Sequence, residues 1–164
     1  MTGRLEFDLV SATLRPMTDV EFEAWLPSVR IGYAEELATN GGVDPTAARV
    51  KAEAEVGHLF PDGQPSPEQL VFVIEAGGER VGELWLSERE QQLRRVLWVY
   101  DLRVGEQYRG RGYARAAMEF AELEAGRRDL GHVALNVFGG NEPARSLYRS
   151  LGYSEDAVSM SKPV

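Results

Sequence analysis

The spacing of apolar residues changes period several times along the chain, and each change predicts an element. Leu9 to Arg15 reads as a short strand, which Pro16 helps to end because it offers no backbone donor. Phe22, Trp25, Leu26 and Val29 then fall at i, i+3, i+4 and i+7, one face of a helix, with a kink expected at Pro27. Thr18, with Glu21 three residues on, supplies a capping box at its start. Asn40, Gly41 and Gly42 make a loop of Thr39 to Asp44. Asp44 and Pro45 read as N-cap and first position of a second helix running to about Leu59.

The proline-rich stretch Pro61 to Pro67 stops that helix. Leu70 to Glu75, Arg80 to Ser87 and Arg95 to Val104 follow, rich in Val, Leu, Trp, Phe and Tyr and separated by short polar turns such as Gly77–Gly78, and predict three antiparallel strands. From Tyr113 the period becomes helical: Ala114, Ala117, Met118, Ala121 and Ala125 form a stripe that stops before Gly131. His132 to Phe138 predicts a strand. Asn141 and Pro143 open a last helix with Ala144, Leu147, Tyr148 and Leu151 on one face, Gly152 closes it, and a final strand is expected from Tyr153. Strand, two helices, three strands, helix, strand, helix, strand is a mixed α/β order, and not a doubly wound one.

Composition narrows the chemistry. A chain of 164 residues, 43% hydrophobic and 27% charged, has the size and balance of one globular domain, taken here as residues 1–164. With no cysteine, disulfides, thiolate metal sites and an acyl-cysteine intermediate are excluded. Met1 to Val10 lacks the basic start and apolar run of a signal peptide, and nowhere do about eighteen apolar residues follow one another, so a cytoplasmic location is expected and no membrane partner. The net charge of −8 disfavours nucleic acid as well. Yet between Arg94 and Arg115 six arginines face only Asp101 and Glu106, and this basic segment in an acidic chain points to a bound anion.

Leu102 to Ala114, LRVGEQYRGRGYA, carries the most information: a strand runs through a glycine-containing turn directly into a helix. Free amides of a helix's first turn attract phosphate, and Gly110 and Gly112 let the main chain approach it, with Arg109 and Arg111 alongside. The stretch is not a Walker A loop, because Tyr113 and Ala114 stand where Lys and Ser or Thr are required. Nor is it a dinucleotide fingerprint, since Arg115 occupies the third glycine position. It does match QxxGxG, as Gln107, Gly110 and Gly112, after the strand WVYDLRV. Leu135 to Tyr153, LNVFGGNEPARSLYRSLGY, adds a strand, an Asn-bearing helix start and a tyrosine on the helix. Together these motifs resemble the GNAT superfamily of N-acetyltransferases over roughly residues 69–160.

That resemblance implies a mixed, mostly antiparallel sheet of about six to seven strands flanked by about four helices, and acetyl-CoA as the acyl donor. It places pyrophosphate on the amides of Arg109 to Ala114, with Gln107 and Tyr108 beside them, and pairs the pantetheine arm with Leu102, Arg103 and Val104. Asn141 and Asn136 are expected to contact CoA or bound water, Ala144 and Arg145 to lie near the nucleotide. Dimers are common in the family, so a homodimer is a further expectation.

Without cysteine, the simplest chemistry is direct attack of an amine on the thioester, with a strand amide near Leu102 meeting the oxyanion. Tyr148 matches the family's general acid, and a phenol with an ordinary pKa of about 10 is protonated at neutral pH; an aromatic residue on the apolar face of a helix is otherwise core. The positions where the family often carries its base read here as Trp98 and Tyr100, assigned to the acceptor pocket. Glu83 and Asp101 are candidate bases acting through water, each equally readable as a structural residue on the sheet or at its edge. A non-catalytic acyl-CoA sensor stays open as the alternative to an enzyme. His58 and His132 have no ligand spacing, and no metal is expected. The acceptor is an amine, small or peptidic.

Overall fold

A computed structural model describes residues 11–162 and 164. Leu9 and Val10, assigned above to the first strand, and the acidic start from Met1 lie outside the described residues. The elements are β1 (Thr13–Pro16), α1 (Asp19–Thr39), α2 (Pro45–Leu59), β2 (Gln69–Ala76), β3 (Glu79–Gln91), β4 (Arg94–Val104), α3 (Tyr113–Arg127), β5 (Val133–Leu135) and α4 (Glu142–Ser150). The sheet has the order β1-β2-β3-β4-β5, antiparallel up to β4, with β5 parallel to it. The α/β class and the order of elements up to α4 are those expected.

Helix starts follow local chemistry. Thr18 Oγ1 accepts from Glu21 N at 3.3 Å while Glu21 Oε2 accepts from Thr18 N at 2.9 Å, closing the capping box at α1. Asp44 Oδ1 accepts from the amides of Thr46 and Ala47 at 3.0 and 3.1 Å and so caps α2. Pro27 sits inside α1 without interrupting it. Pro16 is the last residue of β1, an edge strand, where a missing donor is tolerated.

Two corrections concern the C-terminal third. The strand expected over His132 to Phe138 shortens to Val133–Leu135, and the strand expected from Tyr153 does not form, which leaves five strands among the described residues. Val158 and Met160 are 69% and 90% exposed, so the segment has no buried face to fix a register. Glu155 instead joins α4, 2.8 Å from Arg145 and 3.0 Å from Arg149.

Each face of the sheet buries a different set of helices. Phe22, Trp25 and Val29 of α1 and Val56 of α2 pack with Phe60 around Trp85 of β3, and Trp25 meets Trp85 edge-on at 5.6 Å between ring centroids. On the opposite face Ala117, Met118, Ala121 and Ala125 of α3 cover Ile74, Leu84, Leu86, Leu97 and Val99. Each large side chain fully buried this way contributes roughly 1.5–3 kcal/mol.

One irregularity in this sheet positions the site. Leu86 pairs with Val99, whereas the preceding residue Trp85 pairs with Asp101, so Tyr100 is an extra residue in β4 and forms a β-bulge. Cross-strand partners share a face. Leu84 and Leu102 therefore join the α3-side core, and Trp85 and Glu83 carry Asp101 and Arg103 to the side covered by α1 and α2.

Candidate active site

At the C-terminal end of β4 the chain turns through a short 3-10 segment at Glu106–Tyr108, then through Gly110 (φ 73°) and Gly112 (φ 86°), before α3 starts at Tyr113. Both glycines hold left-handed backbone conformations that other residues adopt only at a cost. Gly112 offers no side chain to cap α3, and the first amide of the helix with a backbone partner outside it is that of Ala116, bonded to Gly112 O at 3.0 Å. The amides from Gly110 to Arg115 thus have no acceptor among the described residues, at the positive end of a helix dipole and on an exposed turn. Such a run of donors fits a diphosphate.

The side chains around that turn differ from expectation in detail. The amide of Arg109 is used internally, donating to Glu106 O at 3.2 Å, and its Nε donates to Val104 O at 3.2 Å. Arg109 is thereby folded back over the end of β4. Arg111 is exposed, with its guanidinium 5.9 Å from the ring of Tyr108, whose hydroxyl donates to Glu79 at 3.0 Å. Gln107 is exposed, and Tyr113 and Ala114 are half-buried at the head of α3.

Pairing between β4 and β5 covers only Leu97–Val133 to Val99–Leu135. Past Val99 the edge of β4 from Tyr100 to Val104 has no strand beside it among the described residues, so the two strands part where the bulge begins. Leu102 and Val104 point their backbone groups to that side, where Val104 O accepts from Arg109 Nε at 3.2 Å, while Arg103 turns its own toward β3; an extended chain such as pantetheine can add to such an edge. The side chain of Arg103 does not take part in that edge. It crosses to α1, where a Cβ added to Gly32 would lie 1.8 Å from its Nη2.

Asp101 stands on the α1 side, together with Trp98 and Tyr100. Trp98 is 5% exposed and covered by the guanidinium of Arg89 at 4.0 Å. Tyr100 stacks on Trp85 at 4.5 Å. The bulge brings Asp101 onto that same face. Its Oδ2 is wholly buried and has no hydrogen bond, and the nearest cation, Arg103 Nη2, is 4.0 Å away, too far to bond. Burial pushes the carboxyl up to about 6, Glu83 and Glu36 raising it further and Arg103 opposing. Glu83 is itself engaged with Arg80 at 3.5 Å.

Tyr148 projects from α4 and is half-buried against the α3-side core, 5.9 Å from the ring of Tyr153. Its hydroxyl bonds no other described residue. Burial, with the negative charges of Asp101 and Glu36, pushes its phenol up to about 12. Asn141 caps α4 by accepting from Ala144 N at 3.3 Å, and its Nδ2 donates to Glu36 Oε1 at 3.2 Å, so both ends of the amide are already partnered. Arg145 is held by Gly139 O, Glu142 and Glu155. Asn136 is exposed and Ala144 half-buried. Glu36 was missed from sequence because nothing local distinguishes it from Glu35 beside it on α1; a contact across the fold singles it out.

An open depression of about 320 Å³ lies at the ends of β3 and β4, lined among others by Arg80, Glu83, Arg103, Gln107 and Arg109. It adjoins both the turn into α3 and the Asp101 face, yet touches neither Tyr148 nor the amides beyond Arg109. The parting of β4 and β5 is therefore the more informative feature. Among the described residues no group of three or more His, Asp or Glu side chains is arranged to hold a metal ion, and no helix is long and apolar enough to cross a membrane.

A bulged strand parting from its neighbour, followed by a donor-lined turn into a helix, can hold an extended chain that ends in a diphosphate, as acyl-CoA does. Residues 43–153 match the family model described as Acetyltransferase (GNAT) family. The chain belongs to the GNAT acetyltransferase family. It is 32% identical to the "Uncharacterized N-acetyltransferase YycN" of Bacillus subtilis over 152 residues, covering 91% of this chain and 96% of YycN. It is 31% identical to YdgE of the same organism, covering 92% and 96%. The crystal structure of YycN superposes with a TM-score of 0.85, 30% identity, and coverage of 94% and 99%. A more distant fold neighbour is AAC(6')-Iy in complex with the bisubstrate analogue CoA-S-monomethyl-acetylneamine, with a TM-score of 0.61, 16% identity, and coverage of 94% and 98%. The protein is a GNAT-type N-acetyltransferase, of a family that takes acetyl-CoA as donor.

Proposed function

We propose that the protein transfers the acetyl group of acetyl-CoA to an amine by direct attack, with Asp101 as general base and Tyr148 as general acid. The observation that carries this reading is the unpaired carboxylate oxygen of Asp101, buried beside the open edge of β4 with its pKa raised to about 6. A base poised just below neutral pH is ionised when it is needed and still basic enough to take a proton.

In this mechanism the amides of Gly110 to Arg115 hold the pyrophosphate, and the free edge at Leu102 to Val104 aligns the pantetheine arm. A neutral amine attacks the thioester carbonyl, the C–N bond forms, and a strand amide near Leu102 stabilises the oxyanion. Asp101 takes the proton from nitrogen. As the C–S bond breaks, Tyr148 gives its proton to the thiolate. The two steps assist each other, because the charge on Asp101 is part of what holds the Tyr148 phenol up. When Asp101 is protonated, Tyr148 becomes the stronger acid.

The case for a non-catalytic acyl-CoA sensor came from the apparent lack of a carboxylate on β4, and Asp101 removes that motive. The acceptor enters from the side of α1 and α2, where Asp101, Glu83 and Glu36 favour a cationic amine in its resting state. The test is thiol release from acetyl-CoA across a panel of polyamines, amino acids, aminoglycosides and peptides. The cysteine-free chain adds no background. Release that depends on one class of amine is expected; tight CoA binding with no release across the panel defeats the reading.

A further inference from the structure

Glu36 bonds the N-cap residue of the Tyr148 helix, and its charge bears on the proposed Asp101–Tyr148 pair, from an element to which the sequence assigned no chemistry. It lies near the end of α1 and is half-buried. Its Oε1 accepts from Asn141 Nδ2 at 3.2 Å, a bond spanning 105 residues. The orientation of that amide is fixed independently, because Asn141 Oδ1 is committed to capping α4. The same end of α1 meets the same loop twice more: a Cβ on Gly41 would stand 3.0 Å from the Phe138 ring, and one on Gly140 would stand 3.3 Å from Asn40 Oδ1. The end of α1 is thus seated on the turn that starts α4, the helix bearing Tyr148.

We infer that Glu36 is a positioning residue for acetyl transfer: through Asn141 it fixes the start of α4, and with it Tyr148, against the acceptor-side helix. This rests on the function proposed above. The charged groups bearing on Asp101 are Arg103 on its own strand, Glu83 on β3 and Glu36 on α1; those bearing on Tyr148 are Asp101 and Glu36. Glu36 is common to both sets. A negative charge there disfavours ionisation of each partner, so removing it lowers both pKa values and moves the limb that requires ionised Asp101 to lower pH. The same residue thereby joins geometry to proton affinity. An acceptor ammonium approaching α1 would partly cancel that charge.

Two substitutions separate the roles. Glu36→Gln keeps an oxygen able to accept from Asn141 but loses the charge; Glu36→Ala loses both. The titration of Asp101 is followed by carboxyl ¹³C NMR in the protein without ligand, and amide hydrogen exchange is followed along α4. For Glu36→Gln the Asp101 midpoint is expected to fall by roughly half a pH unit or more, with exchange in α4 within twofold of the parent. For Glu36→Ala exchange at the start of α4 is expected to rise about fivefold, the equivalent of one hydrogen bond. An unmoved Asp101 midpoint in Glu36→Gln, or unchanged α4 protection in Glu36→Ala, overturns the inference. Neither readout needs an acceptor. If no amine proves to be acetylated, the proposed reaction falls while the role of Glu36 is still decided.

Discussion

Replacing Asp101 with Asn should make the protein more stable at neutral pH while abolishing most of its activity. The folded state holds the Asp101 carboxyl at about 6 against an ordinary 3.8. Between those values the folded protein keeps a proton that the unfolded chain releases, so stability falls as pH rises through this window and stays lowered above it. A shift of this size corresponds to ~3 kcal/mol as an upper limit. The side chain keeps 25% of its exposure, so solvent reduces that penalty. The carboxamide of Asn would itself be poorly bonded, costing ~1 kcal/mol. A net gain of about 1–2 kcal/mol remains, which for a chain of this length raises Tm by roughly 2–8 °C. Thermal unfolding of both proteins at pH 4, 5.5 and 7.5 provides the measurement, with the gap small at pH 4 and largest at pH 7.5. Thiol release by the variant should fall by ~10²-fold or more. A variant that melts below the parent at pH 7.5, or a gap that does not grow with pH, would refute the account of Asp101 as an unpaired buried base.

Three further outcomes test the rest of the site and its support. Tyr148→Phe should lower kcat by ~10²–10⁴-fold and leave the Kd for CoA unchanged, as measured by calorimetry; unaltered turnover removes Tyr148 from the mechanism. Gly112→Ala, at φ 86°, forces a strained turn costing ~1–2 kcal/mol, and should weaken CoA binding by about tenfold while secondary structure by circular dichroism is retained. Ala117→Leu inserts three carbons at a position with no exposure on the face of α3 that packs on the sheet. It should lower stability to urea by ~1–3 kcal/mol.

The parts of the fold that could be read from sequence were those fixed by local chemistry. Thr18 with Glu21, Asp44 with Pro45, and Asn141 with Pro143 each satisfy helix amides with their own side chains or by omitting a donor, so they mark helix starts whatever lies nearby. The turn into α3 was legible for the same reason, since Gly110 and Gly112 are needed by the backbone conformation itself. Strand lengths were not. The alternation from Tyr153 onward is compatible with a strand, but a strand also needs an edge to pair with, and Glu155 found Arg145 and Arg149 instead. Side chains that act across the fold were the least legible. Nothing local in the sequence shows that the Asn141 amide spans α4 and Glu36, or that Arg145 is held by carboxylates of its own helix and the C-terminal segment.

A single extra residue in β4 explains why the candidate base was the hardest assignment. Strict alternation along WVYDLRV places Trp98 and Tyr100 on one face and Asp101 on the other, with the α3-side core, where a carboxylate would be a buried charge with no purpose. The bulge breaks that parity. Because Tyr100 has no partner of its own, Asp101 pairs with Trp85 and shares its face, and Leu102 takes the core position opposite Leu84. The same departure from regular pairing lies where β4 and β5 separate, so the residue that is re-aimed and the backbone edge that is freed occupy one place. An acyl donor lying along that edge would bring its thioester beside Asp101 without any loop having to move. The chemistry therefore depends less on which acid the strand carries than on where its pairing slips. Deleting Tyr100 would leave Asp101 opposite Trp85 but remove the slip itself and the ring stacked on Trp85.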